Sequence, residues 1–200
     1  VPLYKLPLED ALNHAAHLLT VVCHPQPYGA AREYWTMEKL VALGTWPDGL
    51  EVYNGHYGIE KALASGRQPL YTPFWDELLT AGHRIWGFAN DDFPDPEDFS
   101  NAYNMILVQE ISPQAITQAA KQGRTYATTG LLLEHVQEEN GHIHITVDAP
   151  CEGLFIGPEG QELACYTGTD FEYKAQNEAY IRFEAKGQTG RIFLQPMFRC

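Results

Sequence analysis

Short apolar runs alternate with helical segments over the first two thirds of the chain, and this alternation most restricts the fold. Four runs have the length and composition of buried strands, at residues 20–23, 49–53, 84–89 and 105–108. Helical segments precede or separate them, at residues 8–19, 36–42, 74–80 and 112–123. Strands and helices that alternate in this way predict a parallel sheet or a (β/α) barrel.

From about Thr128 the pattern changes to strands joined by turn residues. Asn140-Gly141 is typical of a type I′ hairpin turn, and it connects strand-like runs at residues 131–136 and 142–147. Further strands are predicted at residues 153–156, 179–185 and 190–194. We therefore predict an α/β domain over residues 1–128, followed by a small antiparallel β extension over residues 129–200.

The charge of the chain restricts its partners. Its 200 residues carry a formal net charge of -13, which argues against nucleic acid and against an anionic membrane surface, since both attract clustered Lys and Arg. No run approaches the roughly 18 apolar residues of a membrane span. A small phosphorylated substrate is compatible with this charge if a metal ion supplies positive charge locally.

The four cysteines show no C-x-x-C spacing: they are Cys23, Cys151, Cys165 and Cys200. We predict that they are reduced and mostly buried thiols, which slightly favours the cytoplasm. The alternative for one pair is a Cys151–Cys165 bridge.

Two carboxylates, Asp91 and Asp92, come directly after the apolar run at residues 84–89. The carboxyl ends of strands are where α/β proteins keep their chemistry, and adjacent carboxylates repel unless a cation or solvent screens them. The pair is therefore compatible with a metal site or with a solvated acidic loop. Pro94 offers no donor atom where an imidazole could have completed a metal site.

Three further polar residues lie at or near the ends of the first two predicted strands. His24, fixed by the following Pro25, is a candidate metal ligand or general base, and the alternative is a turn histidine bonded to backbone. Glu51 is flanked by apolar residues, so its side chain points either into a polar interior or outward to solvent. Asn54 lies just beyond the second strand.

The pair His142 and His144 is also a candidate zinc site, because strand residues two apart share a face. With a two-residue turn at Asn140-Gly141, however, these histidines lie opposite Glu139 and Gln137 on a wholly polar face. We therefore favour a solvated sheet face over a metal site.

Several segments, in order along the chain, resemble the signatures of the PHP family, the polymerase-and-histidinol-phosphatase metal-dependent phosphoesterases. The matching segments are Val22-Cys23-His24-Pro25, residues 49–54, residues 75–82, Asp91-Asp92-Phe93-Pro94 and residues 123–130. The resemblance covers residues 8–135, and the β extension is similar to that of one subgroup.

The resemblance implies a partial, distorted (β/α) barrel with two or three divalent metal ions, Zn, Mn or Fe, at the carboxyl ends of its strands. It implies hydrolysis of a phosphate ester. His24 matches the metal-ligating histidine of the family's His-Pro segment, and Asp92 matches the ligating aspartate of its Asp-x-His pair. Glu51, Asn54 and Asp91 are candidates that line the site.

The chain departs from the family in two places. The family's His-x-His segment should lie upstream of Val1, and the histidine of its Asp-x-His pair is Pro94 here. Either the intact protein is a larger metal-dependent phosphoesterase, or the chain is a non-catalytic ligand-binding or interaction module. For both readings we predict weak or no activity from these 200 residues. A half barrel also leaves a sheet edge uncovered, which predicts either poor solubility or pairing with a second copy.

Overall fold

Two β-sheets form the framework of the protein, whose computed structural model describes residues 2–25 and 35–199. The first sheet is parallel and has the strand order β1 (Val21–Val22), β2 (Gly49–Asn54), β3 (Trp86–Asn90). The second is a curled antiparallel half-barrel. Its strands are β4 (Tyr103–Ile106), β5 (Thr125–Thr128), β6 (Leu133–Glu139), β7 (His142–Ile156), β8 (Glu162–Lys174), β9 (Tyr180–Gly187), β10 (Gly190–Leu194) and β11 (Met197–Phe198). The predicted mixed α/β class is confirmed.

The described helices are short. They are α1 (Leu8–His14), α2 (Met37–Ala42), α3 (Gly55–Gly58), α4 (Glu60–Ala64), α5 (Thr72–Thr80) and α6 (Pro113–Lys121). The predicted caps are present, since the hydroxyl oxygens of Thr36 and Ser112 accept hydrogen bonds from Lys39 N and Ala115 N. The prediction of one helix through residues 8–19 is wrong beyond His14, because a turn with Leu18 N bonded to Ala15 O leads the chain towards β1.

Helix α5 packs on the parallel sheet and fixes its position. Pro73 occupies the first turn, where a missing N–H costs nothing, and Phe74, Trp75 and Leu78 are buried in the core beneath the helix. The indole N–H of Trp75 donates to Ile85 O at 2.9 Å, immediately before β3. The helix and the sheet edge that carries the candidate site are therefore joined by one buried core.

The predicted β-hairpin is confirmed in its turn and in its register. Asn140 and Gly141 have φ of 53° and 76°, as a type I′ turn requires. Glu139 pairs with His142 and Gln137 pairs with His144. Ile143 and Ile145 are buried in the hydrophobic core of the antiparallel sheet, so the histidines lie on the opposite, polar face of the hairpin. The nearest carboxylate to His144 is the exposed Asp170, at 3.6 Å.

The prediction of a fourth parallel strand at residues 105–108 is wrong. β4 begins at Tyr103 and pairs antiparallel with β5, with Asn104 opposite Ala127. On its other side, β5 pairs antiparallel with β10, where Phe193 lies opposite Ala127. This pairing sets the direction of β5. The antiparallel sheet therefore takes strands from both sides of residue 128.

Two side-chain amides join the sheets along the outer edge of β3. The Gln195 amide accepts from Gly87 N at 2.8 Å and donates to Gly87 O at 2.7 Å. The Asn104 amide makes the same pair of bonds with Ala89 N and O, at 2.9 and 2.7 Å. Each amide therefore bonds the backbone N–H and C=O of one β3 residue, as a neighbouring strand would. Without these amides, the backbone groups along this edge of the sheet would need another partner.

Replacing Gln195 by leucine should destabilise the protein by about 2–3 kcal/mol, because the buried N–H and C=O of Gly87 lose both hydrogen bonds. The measurement is the midpoint of urea unfolding. Gln188→Leu is the matched control, since Gln188 is exposed at the β9–β10 turn. Equal midpoints for the two variants would show that the amide bonds of Gln195 contribute nothing.

Cys23 and Cys165 are exposed and Cys151 is buried, so the prediction of mostly buried thiols is wrong for the described cysteines. All three are free thiols, so the alternative of a Cys151–Cys165 bridge is also wrong. Their partners across the β7–β8 ladder explain this, because Cys151 lies opposite Gly168 and Cys165 lies opposite Leu154. Cys200 lies outside the described residues. Among the residues that are described, no helix is long and apolar enough to cross a membrane.

Candidate metal centre

The carboxyl edge of the parallel sheet brings four of the five predicted site residues together. His24 follows β1, Glu51 and Asn54 belong to β2, and Asp92 follows β3. Because parallel strands end at the same edge, residues far apart in sequence meet there. The Nδ1 atom of His24 lies 3.2 Å from Glu51 Oε2, and its Nε2 atom lies 3.9 Å from Asp92 Oδ2.

Glu51 is fully buried, and its carboxylate holds the other side chains in place. Its Oε2 accepts from the backbone N–H of His24 at 2.6 Å and faces the imidazole Nδ1. Its Oε1 accepts from Asn54 Nδ2 at 2.9 Å. The 3.2 Å separation places Nδ1 beside this carboxylate, and Nε2 is the ring nitrogen on the side of Asp92. Of the two orientations that the sequence allows for Glu51, the structure has the inward one.

Asn54 connects the two sides of the site and is not arranged as a ligand. Its Nδ2 donates to Glu51 and also to Asp92 Oδ2, at 3.1 Å, while its Oδ1 accepts from Tyr57 N and caps α3. The amide oxygen is therefore already used at the helix. Asn54 positions Asp92 relative to Glu51.

The backbone is strained at both candidate ligands. His24 and Asp92 have φ of 52° and 50°, in the left-handed region that costs energy for residues other than glycine. Strain of this kind collects at functional sites, where the surrounding structure over-determines the conformation.

The electrostatics of the site favour a cation. The hydrogen bond to Glu51 raises the pKa of His24, and the charges of Glu51 and Asp92 add to this effect while burial opposes it. Partial burial, followed by the same two carboxylates, raises the pKa of the neighbouring Cys23 thiol to about 11. Cys23 is therefore protonated at neutral pH in the metal-free protein.

Asp91, the fifth predicted residue, is directed into its own loop. Its carboxylate accepts from Ser100 N at 2.8 Å and from Ala102 N at 2.7 Å. It anchors the loop that follows β3, and Asp92 is the carboxylate that faces His24.

A second imidazole near the site was not predicted. Asp98 is fully buried and accepts from Nδ1 of His56 at 2.8 Å, and the Tyr57 ring lies between the His24 and His56 rings, 5.9 and 5.6 Å from them. Burial alone would raise the pKa of Asp98, but the hydrogen bonds from His56 and from the Asp95 backbone lower it. The sequence did contain one indication of this residue, since His56 lies three residues beyond the strand predicted at residues 49–53.

The donor atoms fit a divalent ion with two protein ligands. The 3.9 Å between His24 Nε2 and Asp92 Oδ2 is shorter than two metal–ligand bonds of about 2.0–2.2 Å laid end to end, so one ion can reach both atoms. Within residues 2–25 and 35–199, no group of three or more His, Cys, Asp or Glu side chains could hold a metal ion. The described part of the chain therefore places two possible ligands, His24 and Asp92, at this edge of the sheet and no larger ligand group.

Comparison with known proteins finds no matching family model, no matching curated protein and no matching solved structure. The resemblance to the PHP family therefore stays a prediction, and the site is interpreted from its own geometry.

Proposed function

We propose that the chain belongs to a PHP-like, metal-dependent phosphoesterase, with a partial (β/α) barrel of PHP type whose parallel strands lie within residues 1–128. The observation that supports this most is the series Glu51–His24–Asp92, in which a buried carboxylate orients an imidazole whose other nitrogen faces a second carboxylate. A purely structural turn histidine does not need a carboxylate at each ring nitrogen.

The reaction we propose is the addition of water to a phosphate ester, which gives an alcohol and inorganic phosphate. A bound divalent ion would neutralise the phosphate charge and lower the pKa of a water molecule. His24 and Asp92 would hold that ion, Glu51 would keep the Nδ1–H tautomer of His24, and Asn54 would hold Asp92. Without further ligands we expect these 200 residues to bind metal weakly and to turn over little or no ester.

The test is a titration of the chain with Zn²⁺ or Mn²⁺, followed by calorimetry. We expect one weak site that is lost in His24→Ala and in Asp92→Asn. Glu51→Gln should weaken the affinity about 10–100-fold, which is typical for the partner that orients a ligating histidine. His142→Ala is the control, because His142 lies on the exposed hairpin. If His24→Ala binds metal as the wild type does, the assignment fails.

A non-catalytic ligand-binding or interaction module is the second candidate. It is favoured by Pro94, since this residue leaves the set of ligands at two. The same titration separates the candidates, because stoichiometric metal supports the phosphoesterase and no bound metal supports the module. A steady turnover of a generic phosphate ester by this chain would contradict our expectation that it is weak or inactive.

A further inference from the structure

A groove of about 610 Å³ lies between α5 and the antiparallel sheet. Leu154 and Ile156 of β7 form its apolar part, since residues two apart on a strand share a face. The turn before β8 also lines it, and Glu159 N of this turn donates to Thr80 Oγ1 of α5 at 2.7 Å. None of the described residues that line the groove belongs to the candidate metal centre, so the groove is a second candidate site.

Carboxylates dominate the charge of this groove. Five acidic side chains and one guanidinium line it, which gives a formal charge of -4. These residues are Asp76, Glu77, Glu159, Glu162, Glu184 and Arg182. Two of the carboxylates bind the guanidinium, whereas Glu77, Glu159 and Glu162 are exposed and make no side-chain ion pair or hydrogen bond within the described parts of the chain. A cleft that carries one sign of charge between low-dielectric walls attracts ions of the opposite sign, so the groove favours a cationic ligand.

The guanidinium of Arg182 provides a second, independent indication of a ligand. Its side chain is 2% exposed and lines the groove, and it donates from Nε and Nη2 to Asp76 and from Nη1 to Glu184. Each Nη atom carries two hydrogens, so one N–H on each has no acceptor among residues 2–25 and 35–199. Buried donors are nearly always hydrogen-bonded, so these two N–H groups indicate an acceptor atom on the ligand. Because two carboxylates already balance the charge of Arg182, a neutral acceptor suits it better than an anion.

We propose that the groove binds a small aliphatic diamine that carries a neutral oxygen acceptor, such as a carboxamide. Glu77 of α5 and Glu162 of β8 lie on different elements that line the groove, so they can bind an amine at each end of a methylene chain. Leu154 and Ile156 provide apolar contacts for that chain, and Arg182 donates to the oxygen. The volume is in the range typical of small-molecule sites, about 300–1,000 Å³.

The experiment compares three amines of related structure, titrated by NMR into the metal-free chain. Lysinamide has two amines and a carboxamide, cadaverine has the same two amines and no oxygen, and norleucinamide has the carboxamide and lacks the side-chain amine. We expect lysinamide to bind about tenfold more tightly than either of the others, because each of them lacks one charge-assisted contact. NOEs from its methylene groups to the methyl groups of Leu154 and Ile156 should place it in the groove. Since no metal is added, the result does not depend on the phosphoesterase function proposed above.

Two variants test the groove without disturbing the fold. Glu77→Gln and Glu162→Gln each remove one exposed carboxylate that has no bond to lose, and each should weaken lysinamide binding about tenfold. Glu134→Gln is the matched control, since Glu134 is exposed on β6 and its replacement changes the net charge of -13 by the same amount. Equal weakening in all three variants would overturn the proposal, because the amine would then follow the overall charge of the chain. Equal affinity for lysinamide and cadaverine would overturn it as well, and so would an absence of binding.

Discussion

Asp76→Asn should destabilise the protein by about 3–5 kcal/mol, because it leaves the guanidinium of Arg182 without its main counter-charge in the core. Arg182 is 2% exposed, and it donates to both carboxylate oxygens of Asp76, from Nε at 2.7 Å and from Nη2 at 2.6 Å. Tyr180 donates to the same carboxylate, and the guanidinium lies over the Trp75 ring. Asp76 belongs to α5 and Arg182 to β9, so this ion pair joins the helix to the antiparallel sheet.

The measurement is urea unfolding, with two comparisons. Asp170→Asn is the control, since Asp170 is an exposed carboxylate near His144, and its midpoint should not move measurably. Asp76→Asn combined with Arg182→Met should be more stable than Asp76→Asn alone, because the buried guanidinium is then gone and the Glu184 carboxylate, which Arg182 Nη1 also binds at 2.8 Å, is partly exposed to solvent. If the double variant is the less stable one, uncompensated charge is not the cause of the loss.

This ion pair also shows what the sequence cannot contain. Trp75-Asp76-Glu77 reads as part of an ordinary amphipathic helix, and nothing local indicates that Asp76 is buried. Its partner follows 106 residues later, in a strand whose pattern is equally ordinary. Contacts between residues so far apart in the sequence depend on how the two sheets pack, which hydrophobic periodicity does not encode. The same packing buries Tyr180, and this burial raises the pKa of Tyr180 to about 12, with a further contribution from the charge of Asp76.

The elements themselves could be predicted where local chemistry decides. Ser112-Pro113 begins a helix and Asn140-Gly141 sets a hairpin, because caps and turns depend on neighbouring residues. The direction of β5 could not be predicted, since it depends on β10, more than 60 residues away. Strand–helix–strand alternation therefore identified the class correctly and assigned the run at residues 105–108 to the wrong sheet.

The sequence was sufficient to predict which residues form the candidate site, but not what each of them does there. Placing polar residues at strand ends was enough to select His24, Glu51, Asn54 and Asp92, because parallel strands end together. All six residues of β2 are buried, so both faces of the strand lie in the interior. The sequence therefore has no apolar–polar alternation there that could indicate the inward direction of Glu51. The separate roles of Asp91 and Asp92 follow from hydrogen bonds to Ser100 and Ala102, which only the folded loop defines.

Pro94→His should raise the affinity for Zn²⁺ at least about tenfold, the smallest effect expected even from an outer-shell partner. The resemblance to the PHP family places an imidazole at this position, two residues after Asp92. It would be a third ligand beside His24 and Asp92, and a third ligand is what a tight tetrahedral site requires at a minimum. Calorimetry with Zn²⁺ is the measurement.

Pro96→His tests whether any added imidazole in the same loop has this effect, and it should leave the affinity unchanged. Pro94→His with His24→Ala should lose most of the gain, because the new imidazole then has Asp92 as its only partner at the site. Wild-type affinity in Pro94→His would mean that residue 94 does not face the ion, and the likeness of Asp91-Asp92-Phe93-Pro94 to a metal-ligating pair would then be a coincidence of sequence. A gain that depends on His24 would instead make proline at this position the direct cause of the weak site.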